Sequence, residues 1–281
     1  MKNPLTGICR SLRRKKGISY LVLAVLAVLW ALPVLWMALA ALDGNANIFI
    51  KVPDRVTLDN FRNVVSNDSN QQAMLNSLLL SCGVAICVVV ASTLAGYVLS
   101  RYQSKFSKSY MLTILFMTTL PGTVLIVPVY KMFVLLKLYD NLLGIILFLT
   151  ATTLPYSIWM MKNFMDSIPI ELEEAAAVDG AGHWSRLYHV VAPLVLPGIC
   201  CVGIRAFAAA WGDFMTPYIL LSSSSKYTAS ITMYKYIDAF SVSYGNLAAF
   251  SILYSFPSIF LYILAQRFMS KGFSLSGANK G

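Results

Sequence analysis

Six long apolar segments alternate with short polar ones along the chain. A helix needs roughly 20 residues to cross the apolar core of a bilayer, and each segment is near or above that length. The pattern therefore predicts an all-α, polytopic membrane protein with six transmembrane helices. The predicted spans lie at about residues 18–42, 75–100, 109–133, 141–163, 193–213 and 247–268.

The third predicted span, 109–133, contains residues that interrupt helices. Pro121-Gly122 and Pro128 lie within it. A proline inside a helix removes one backbone hydrogen bond, and its ring clashes with the preceding turn. This span is therefore predicted to be broken or sharply kinked.

A polar stretch at about residues 164–192, here named the elbow, separates the fourth and fifth predicted spans. Pro169 and the glutamates behind it favour a helix start, because proline lacks only an N–H that would be unpaired there and carboxylates complement the positive end of the helix dipole. Residues 175–177 are all alanine, a strong helix former with little bulk. Gly180 and Gly182 allow the backbone to turn sharply. The first half of the elbow is therefore predicted to be a short helix that ends in a tight turn.

The residues after this turn predict a second short helix. Trp184, Leu187 and Val190 recur at helical spacing and form an amphipathic stripe. Pro193 marks the predicted start of the fifth span. On these residues alone, an amphipathic hairpin on the membrane surface and a docking element for another protein are equally well supported.

Composition and charge support the membrane assignment and orient the chain. Hydrophobic residues make up 58% of the chain and charged residues 12%, whereas soluble domains carry about 25% charged residues. Of the 22 basic residues, fourteen lie in segments predicted inside when the N-terminus is cytoplasmic, seven lie outside, and Arg205 lies in a span. This bias follows the positive-inside rule and predicts cytoplasmic termini and a cytoplasmic elbow. The net charge of +10 is thus topological, and nucleic-acid binding is not expected.

The N-terminal segment also has features of a signal peptide. Basic residues 13–16 precede an apolar run that holds Ala38-Leu39-Ala40. The run over 18–42 is, however, longer than the roughly 7–15 residues of a signal-peptide core. We therefore favour a retained first helix that follows a basic cytoplasmic tail at 1–17. A second cytoplasmic tail is predicted at 269–281, and an external loop at 214–246.

The chain shows no motif for catalysis or metal binding. It has no G-x-x-x-x-G-K-[ST] loop that would hold phosphates, and its five cysteines lack the spacing of a zinc or redox site. His183 and His189 both lie in the elbow, where a polar interface role is favoured over catalysis. No catalytic residue, metal or cofactor is therefore expected in this chain.

The elbow residues resemble the EAA motif of ABC importer permeases. The order is Glu174-Ala175-Ala176, then Gly180, then Val190 and Pro193. That family prefers isoleucine where Val190 stands and leucine where Ala192 stands. Further similarity lies in Asn76-Ser77, Leu94-Ala95-Gly96-Tyr97 with Arg101, Trp211-Gly212-Asp213-Phe214 and Gly277-Ala278-Asn279-Lys280-Gly281. The likeness extends along most of the chain and is to the carbohydrate-uptake permeases, specifically the shorter, maltose-type second subunit.

This resemblance implies a permease subunit of an ATP-driven, binding-protein-dependent sugar importer in the bacterial plasma membrane. The implied partners are a second permease, two ATPase subunits that bind ATP and magnesium, and an extracytoplasmic sugar-binding protein. Glu174 would pair with a basic residue of an ATPase, and the tail residues Gly277 and Lys280 would reach between the two ATPases. The implied coupling residues are Glu174, Ala175, Ala176, Asp179, Gly180, Ala181, Trp184 and Pro193.

The candidate substrate path rests on fewer residues. Arg205 lies at span depth, where a charge is costly and usually faces the bundle interior or a water-filled cavity. It is a candidate for contact with sugar hydroxyls or an acidic sugar. The alternatives are pairing with a carboxylate of the partner permease, or snorkelling to the membrane surface if the fifth span is misplaced. Thr119 and Thr123 flank the predicted break, and broken helices line cavities in transporters. The alternative for these threonines is backbone hydrogen bonding. Trp211 completes the set, near the external face.

Two other functions remain open on sequence alone. A self-sufficient secondary transporter should show internal repeats with paired broken helices, and no convincing repeat relates 1–140 to 141–281. A membrane receptor that transports nothing would not need the full elbow motif. A permease for a solute other than a sugar is the remaining alternative within the same family.

Overall fold

The computed structural model describes residues 4–102, 105–119, 121–237 and 242–278. In these residues the regular secondary structure is helical, apart from two isolated β-bridges. The predicted all-α architecture is therefore confirmed. The α-helices are α1 (Pro4–Ala41), α2 (Asp59–Ser66), α3 (Asp68–Arg101), α4 (Lys105–Met117), α5 (Gly122–Leu135), α6 (Leu142–Asp166), α7 (Glu171–Val178), α8 (His183–Arg186), α9 (Ala192–Trp211), α10 (Met215–Leu220), α11 (Ala229–Tyr234) and α12 (Tyr244–Ala278).

Within the described residues, five helical segments are long and apolar enough to cross a membrane. A sixth crossing results if α4 and α5 are counted together as one broken span. Each of the six predicted spans thus has a helical counterpart. The five continuous segments are Ser19–Ala41, Asp68–Arg101, Leu142–Asp166, His183–Trp211 and Tyr244–Leu264.

The third predicted span is broken at Pro121-Gly122, as predicted. α4 ends at Met117, α5 starts at Gly122, and the two helices are bent by 85° relative to each other. Pro121 is the residue before α5, and its backbone is extended, with φ of −61° and ψ of 128°. A proline is tolerated at a helix start, because the N–H that it lacks would have no partner there. Pro128, by contrast, stays inside α5 without ending it.

Two helices extend past the apolar segments from which they were predicted. α3 begins at Asp68 rather than near residue 75, because the Asn67 side chain caps its first turn and accepts a hydrogen bond from the Ser69 backbone N–H at 2.9 Å. α12 continues to Ala278, so the predicted tail at 269–281 is helical as far as that residue. Backbone hydrogen bonding extends both helices into polar residues, which a prediction from hydropathy does not include.

The chain divides into two compact units, and the larger one carries the elbow. It comprises Asn67–Lys235 and Tyr254–Gly281. Its core lies where α3, α6 and α9 pack together, with the side chains at their contacts almost fully buried. These core side chains include Leu80, Val84 and Val88 of α3, Ile145, Met161 and Met165 of α6, and Val195, Val202 and Ala206 of α9.

α3 and α6 pack closely near the elbow, at Gly96. A Cβ atom at this position would lie 3.0 Å from the Met161 Cγ atom and 3.1 Å from the backbone nitrogen of Lys162. Transmembrane helices associate largely through such close packing at small residues. The hydrophobic effect does not drive this association, because lipid tails are as apolar as the side chains. The contact holds α3 and α6 together at the end where the elbow joins them.

At the opposite end of α3, polar side chains fix part of the predicted external loop. The Asn76 amide donates hydrogen bonds to the carbonyls of Ser225 and Tyr227 at 2.9 and 3.0 Å. The Ser77 hydroxyl accepts one from the backbone N–H of Ala229 at 2.8 Å. The loop over 214–246 therefore contains ordered structure, namely α10, α11 and a short 3₁₀ turn.

Asp140, between α5 and α6, holds the same loop from the other side. Its carboxylate accepts hydrogen bonds from the backbone N–H groups of Ser222 and Ser223, both at 3.0 Å, and from the Ser223 hydroxyl at 2.6 Å. Lys226 Nζ lies 2.9 Å from Asp140 Oδ2. Burial alone would raise the pKa of Asp140, but the hydrogen bonds from Lys226 and Ser223 outweigh it and hold the pKa well below its usual range.

We expect Asp140→Asn to lower the thermal unfolding midpoint of the purified protein at pH 7. A carboxyl whose pKa is depressed on folding adds stability above its unfolded pKa of about 3.9 and loses it as the pH falls toward the folded value. The difference between wild type and variant should persist from pH 8 to pH 5 and shrink below about pH 4. Asp54→Asn, at an exposed carboxylate, is the control. Equal midpoints for wild type and Asp140→Asn at pH 7 would contradict the assigned role.

The smaller unit comprises Met1–Ser66 and Tyr236–Leu253. Asn60 of α2 is buried and donates hydrogen bonds to the carbonyls of Ala41 and Asp43, both at 3.0 Å. Lys51 forms an ion pair with Asp43 at 2.9 Å. These contacts fix the chain that leaves α1 against α2.

Candidate functional site

The first half of the elbow is a capped helix with the predicted turn behind it. α7 ends in a Schellman motif, in which the backbone N–H of Gly180 donates to the Ala177 carbonyl at 3.1 Å and that of Ala181 to the Ala176 carbonyl at 3.0 Å. Gly180 adopts the left-handed conformation that this motif requires, with φ of 85°. A residue without a Cβ atom is favoured at this position.

We expect Gly180→Ala to destabilise the end of α7 by about 1–2 kcal/mol, because a Cβ atom is strained in the left-handed region. No atom lies within 4 Å of the new Cβ position, so the effect is one of backbone conformation alone. Hydrogen exchange of residues 171–181 should become about 5–30 times faster. Gly182→Ala is the matched control, since Gly182 also has open space around it but an allowed φ of −67°. Equal exchange in the two variants would contradict this account.

The second half of the elbow differs from the prediction. α8 was expected to be separate from the fifth span, but it continues through a π-helical turn, Leu187–Val191, directly into α9. The Ala192 backbone N–H donates to the Leu187 carbonyl, five residues back. Pro193 explains the turn, because its ring would clash with a carbonyl in a regular α-helix and the wider π turn avoids the clash. The second half of the elbow is thus continuous with α9.

The outer surface of the elbow is exposed and partly apolar. Val178 is 88% exposed, Trp184 75% and Tyr188 74%. Large apolar side chains on a surface are typical of a contact with protein or lipid. Of the predicted coupling residues, Glu174, Ala175, Asp179, Gly180, Trp184 and Pro193 are exposed, and Ala176 and Ala181 are partly buried.

Glu173, next to Glu174, has the opposite environment. Only 4% of it is exposed, and its Oε1 atom lies 2.6 Å from Arg101 Nε in an ion pair. The Tyr97 hydroxyl donates a hydrogen bond to the other carboxylate oxygen at 2.8 Å. Tyr97 and Arg101 are one turn apart on α3 and therefore share a face of that helix. Glu173 thus binds α7 to α3.

Arg101 extends this contact to the start of the elbow. Its Nη2 atom donates to the Ile168 carbonyl at 3.2 Å, and its Nη1 atom donates to the Ser100 hydroxyl at 3.2 Å. The Ser100 hydroxyl in turn donates to Asp166 Oδ1, at the end of α6, at 2.6 Å. The ends of α3 and α6 and the beginning of α7 are therefore joined by one polar network.

Glu173 is not among the site residues predicted from the sequence. A signal is nevertheless present, because Tyr97 and Arg101 both belong to the family resemblance. A tyrosine and an arginine one turn apart at the end of an apolar helix need a polar partner once they are buried. The sequence does not say which of the elbow glutamates supplies it.

Arg205 is partly buried, and its side chain contacts α6. Its Nη2 atom donates to the Thr153 carbonyl and to the Ser157 hydroxyl, both at 3.3 Å. Its Cζ atom lies 4.4 Å from the centre of the Tyr156 ring, a cation–π contact. Arg205 thus has neutral partners on one helix.

The other candidate path residues have local partners. Trp211 is 4% exposed, stacks on Phe207 with ring centres 5.5 Å apart, and donates from its indole N–H to the Tyr254 carbonyl at 3.0 Å. The Thr119 hydroxyl donates to the Phe116 carbonyl of its own segment at 2.7 Å. Thr123 is exposed in α5. These contacts favour structural roles for Trp211 and Thr119. Gly277 lies in α12, and Lys280 lies outside the described residues.

Comparison with known proteins identifies the family. A family model described as "binding-protein-dependent transport system inner membrane component" matches residues 88–274. The chain belongs to this family. It is therefore a multi-pass membrane component of a binding-protein-dependent transport system and not an enzyme in its own right.

Individual relatives agree with this assignment. The permease is 29% identical over 202 residues to the inner membrane ABC transporter permease protein YcjP of Escherichia coli (strain K12), with 72% of each chain covered. It is 28% identical over 273 residues to the galactooligosaccharides transport system permease protein GanQ of Bacillus subtilis (strain 168), covering 94% of this chain and 95% of that protein.

A solved structure shares the fold of the permease. It is a crystal structure of a bacterial ABC transporter involved in the import of the acidic polysaccharide alginate. The TM-score is 0.81, with 18% identity, and the match covers 92% of this chain and 97% of the other. At this identity the likeness concerns the fold.

Proposed function

We propose that this permease is one of two different permease subunits in an ATP-driven sugar importer, and that its elbow docks on an ATPase subunit. The proposal rests on the different environments of two adjacent glutamates in α7. Glu174 is exposed on its outer side, while Glu173 ties its inner side to α3 by a buried ion pair. An element that is exposed on one side and firmly anchored on the other can pass a displacement to the membrane helices.

The sugar assignment is supported by the relatives. GanQ is described as part of a galactooligosaccharide transport system, and the structure that shares the fold belongs to an alginate importer. Fourteen basic residues lie in the segments predicted inside and seven in those predicted outside. This bias supports a cytoplasmic elbow and cytoplasmic chain ends. The location is then the bacterial plasma membrane.

In the proposed mechanism, two partner ATPases bind ATP and magnesium and move together. Each elbow follows its ATPase, with Glu174 paired to a basic residue there. The pair Glu173–Arg101 moves the end of α3, and the continuous helix through the π turn moves α9. The translocation path then changes from inward-facing to outward-facing and accepts sugar from an extracytoplasmic binding protein. The end of the chain, with Gly277 and Lys280, reaches between the ATPases.

Purification of the tagged permease from its native membrane tests this function. A second permease and an ATPase should copurify, and a sugar-loaded binding protein should stimulate ATP hydrolysis by the complex. A permease that purifies alone, yet transports solute in liposomes on an ion gradient, would instead be a secondary transporter. Stimulation by a solute other than a sugar would leave the importer function standing and remove the sugar assignment.

A further inference from the structure

We propose that Arg205, held in place by the buried Ser157 hydroxyl and the Tyr156 ring of α6, forms a binding site for the anionic group of the cargo, which is therefore an acidic saccharide. The acid would be a carboxylate, sulfonate or phosphate ester. This inference rests on the proposed importer function and names its substrate class.

The first argument is the depth of the guanidinium group. Arg205 is six residues from the end of α9, about 9 Å along the axis from Trp211. A side chain that reached for the nearer membrane surface would point toward that end. Arg205 instead contacts Thr153 and Ser157, in the middle of α6. Its charge therefore lies deep in the membrane and not at the interface.

The second argument is that the charge is not neutralised within the part of the chain that the structure describes. The ion pairs of these residues join other side chains, and the contacts of Arg205 are a carbonyl, a hydroxyl and an aromatic ring. The Nε atom is buried without a hydrogen-bond partner. A guanidinium has five N–H donors, and the bonds described here use Nη2. The N–H groups of Nη1 remain for an acceptor, because Nε is buried and Nη2 is already bonded.

The third argument concerns what an intramembrane charge faces. Arg205 is only partly buried by its own chain, and a guanidinium turned toward lipid would be costly. The open side must therefore face protein or a water-filled path. An anion at this position would recover the free energy lost when the guanidinium left water.

The fourth argument is the aromatic surface beside the charge. Tyr156 is 38% exposed, and its ring centre lies 5.6 Å from that of Trp159. Small-molecule sites combine such apolar and aromatic walls with a few polar groups that fix orientation. The two rings are tilted by 43° to each other and form an angled aromatic wall for a sugar ring, and Arg205 offers the charge for its acidic substituent. This combination favours a saccharide over a simple anion.

Transport by the complete importer in liposomes tests the inference. The probes are matched neutral and acidic pairs: cellobiose with cellobiouronic acid, galactobiose with digalacturonate, and glucose with glucose 6-phosphate. We expect the acidic member of one pair to be taken up. Arg205→Gln should lower that uptake at least tenfold, and Arg205→Lys should raise the KM for the same probe, because lysine keeps the charge but loses the planar arrangement of donors. Ser92→Ala, at a hydroxyl bonded within its own helix, should leave the uptake unchanged.

Three results would overturn the inference while leaving the importer function intact. One is stimulation of the complex by neutral saccharides alone. A second is equal uptake of an acidic probe by wild type and Arg205→Gln. A third is loss of the second permease from the purified Arg205→Gln complex, which would assign Arg205 to a carboxylate of that partner. If no ATPase copurifies with wild type, it is the proposed function that fails.

Discussion

Replacing Arg101 by methionine is expected to abolish sugar uptake by an assembled, membrane-inserted importer. The substitution leaves the Glu173 carboxylate buried without its cation, and breaking a buried ion pair in this way costs roughly 3–5 kcal/mol. That loss would release α7 from α3, so that motion of the elbow would no longer reach the membrane helices. Uptake and ATP hydrolysis in liposomes measure the coupling. Trypsin cleavage at Arg186, which lies in α8, should become faster as the elbow loosens.

Lys162→Met provides the control for Arg101→Met at the same end of the bundle. It breaks the pair between Lys162 and Asp166, whose side chains are 23% and 41% exposed. Such surface pairs contribute about 0–1 kcal/mol, so uptake should stay close to that of wild type. The double exchange of Arg101→Glu with Glu173→Arg should restore part of the uptake. Uptake by Arg101→Met equal to that of Lys162→Met would show that the buried pair does not couple the elbow to α3.

Glu174→Arg is expected to have an effect of similar size by a different route. Glu174 is exposed on α7, so the substitution should leave insertion and folding intact. In the proposed complex it would place two cations together at the ATPase contact. Truncating one partner of a buried interfacial charge pair costs about 2–5 kcal/mol, and reversing the charge should cost at least as much. The amount of ATPase that copurifies, and ATP-driven uptake, should both fall at least tenfold.

Glu171→Arg is the matched control for Glu174→Arg. Glu171 is also an exposed glutamate in the first turn of α7, so both variants remove the same favourable interaction with the helix dipole. Any difference between them therefore reports on the contact surface and not on the stability of α7. Wild-type uptake by a well-inserted Glu174→Arg variant would remove Glu174 from the ATPase contact.

Much of the architecture was predictable because it depends on local sequence. The apolar segments have the length that a bilayer demands, and no soluble fold needs six of them. Pro121-Gly122 predicted the break between α4 and α5, since the proline removes a helix hydrogen bond and the glycine beside it allows the backbone to turn. Gly180 predicted the turn of the elbow for a similar reason, because its left-handed backbone strains other residues.

Other features could not be predicted, because they depend on contacts between distant residues. Glu173 and Glu174 are adjacent and chemically identical, yet one is buried against Arg101, 72 residues away, and the other is exposed. The direction in which α7 faces α3 makes that difference. The surroundings of Arg205 are decided in the same way, by the packing of α9 on α6.

Local sequence accounts for the membrane class, the approximate number and position of the spans, the broken third span and the turn at Gly180. Hydropathy and backbone preference act over a few neighbouring residues, so they can be read along the chain. Packing between distant helices accounts for the anchoring of the elbow by Glu173 and for the contact of Arg205 with Tyr156. Each of these depends on how helices far apart in sequence are oriented when they pack, and that orientation is set by the whole bundle.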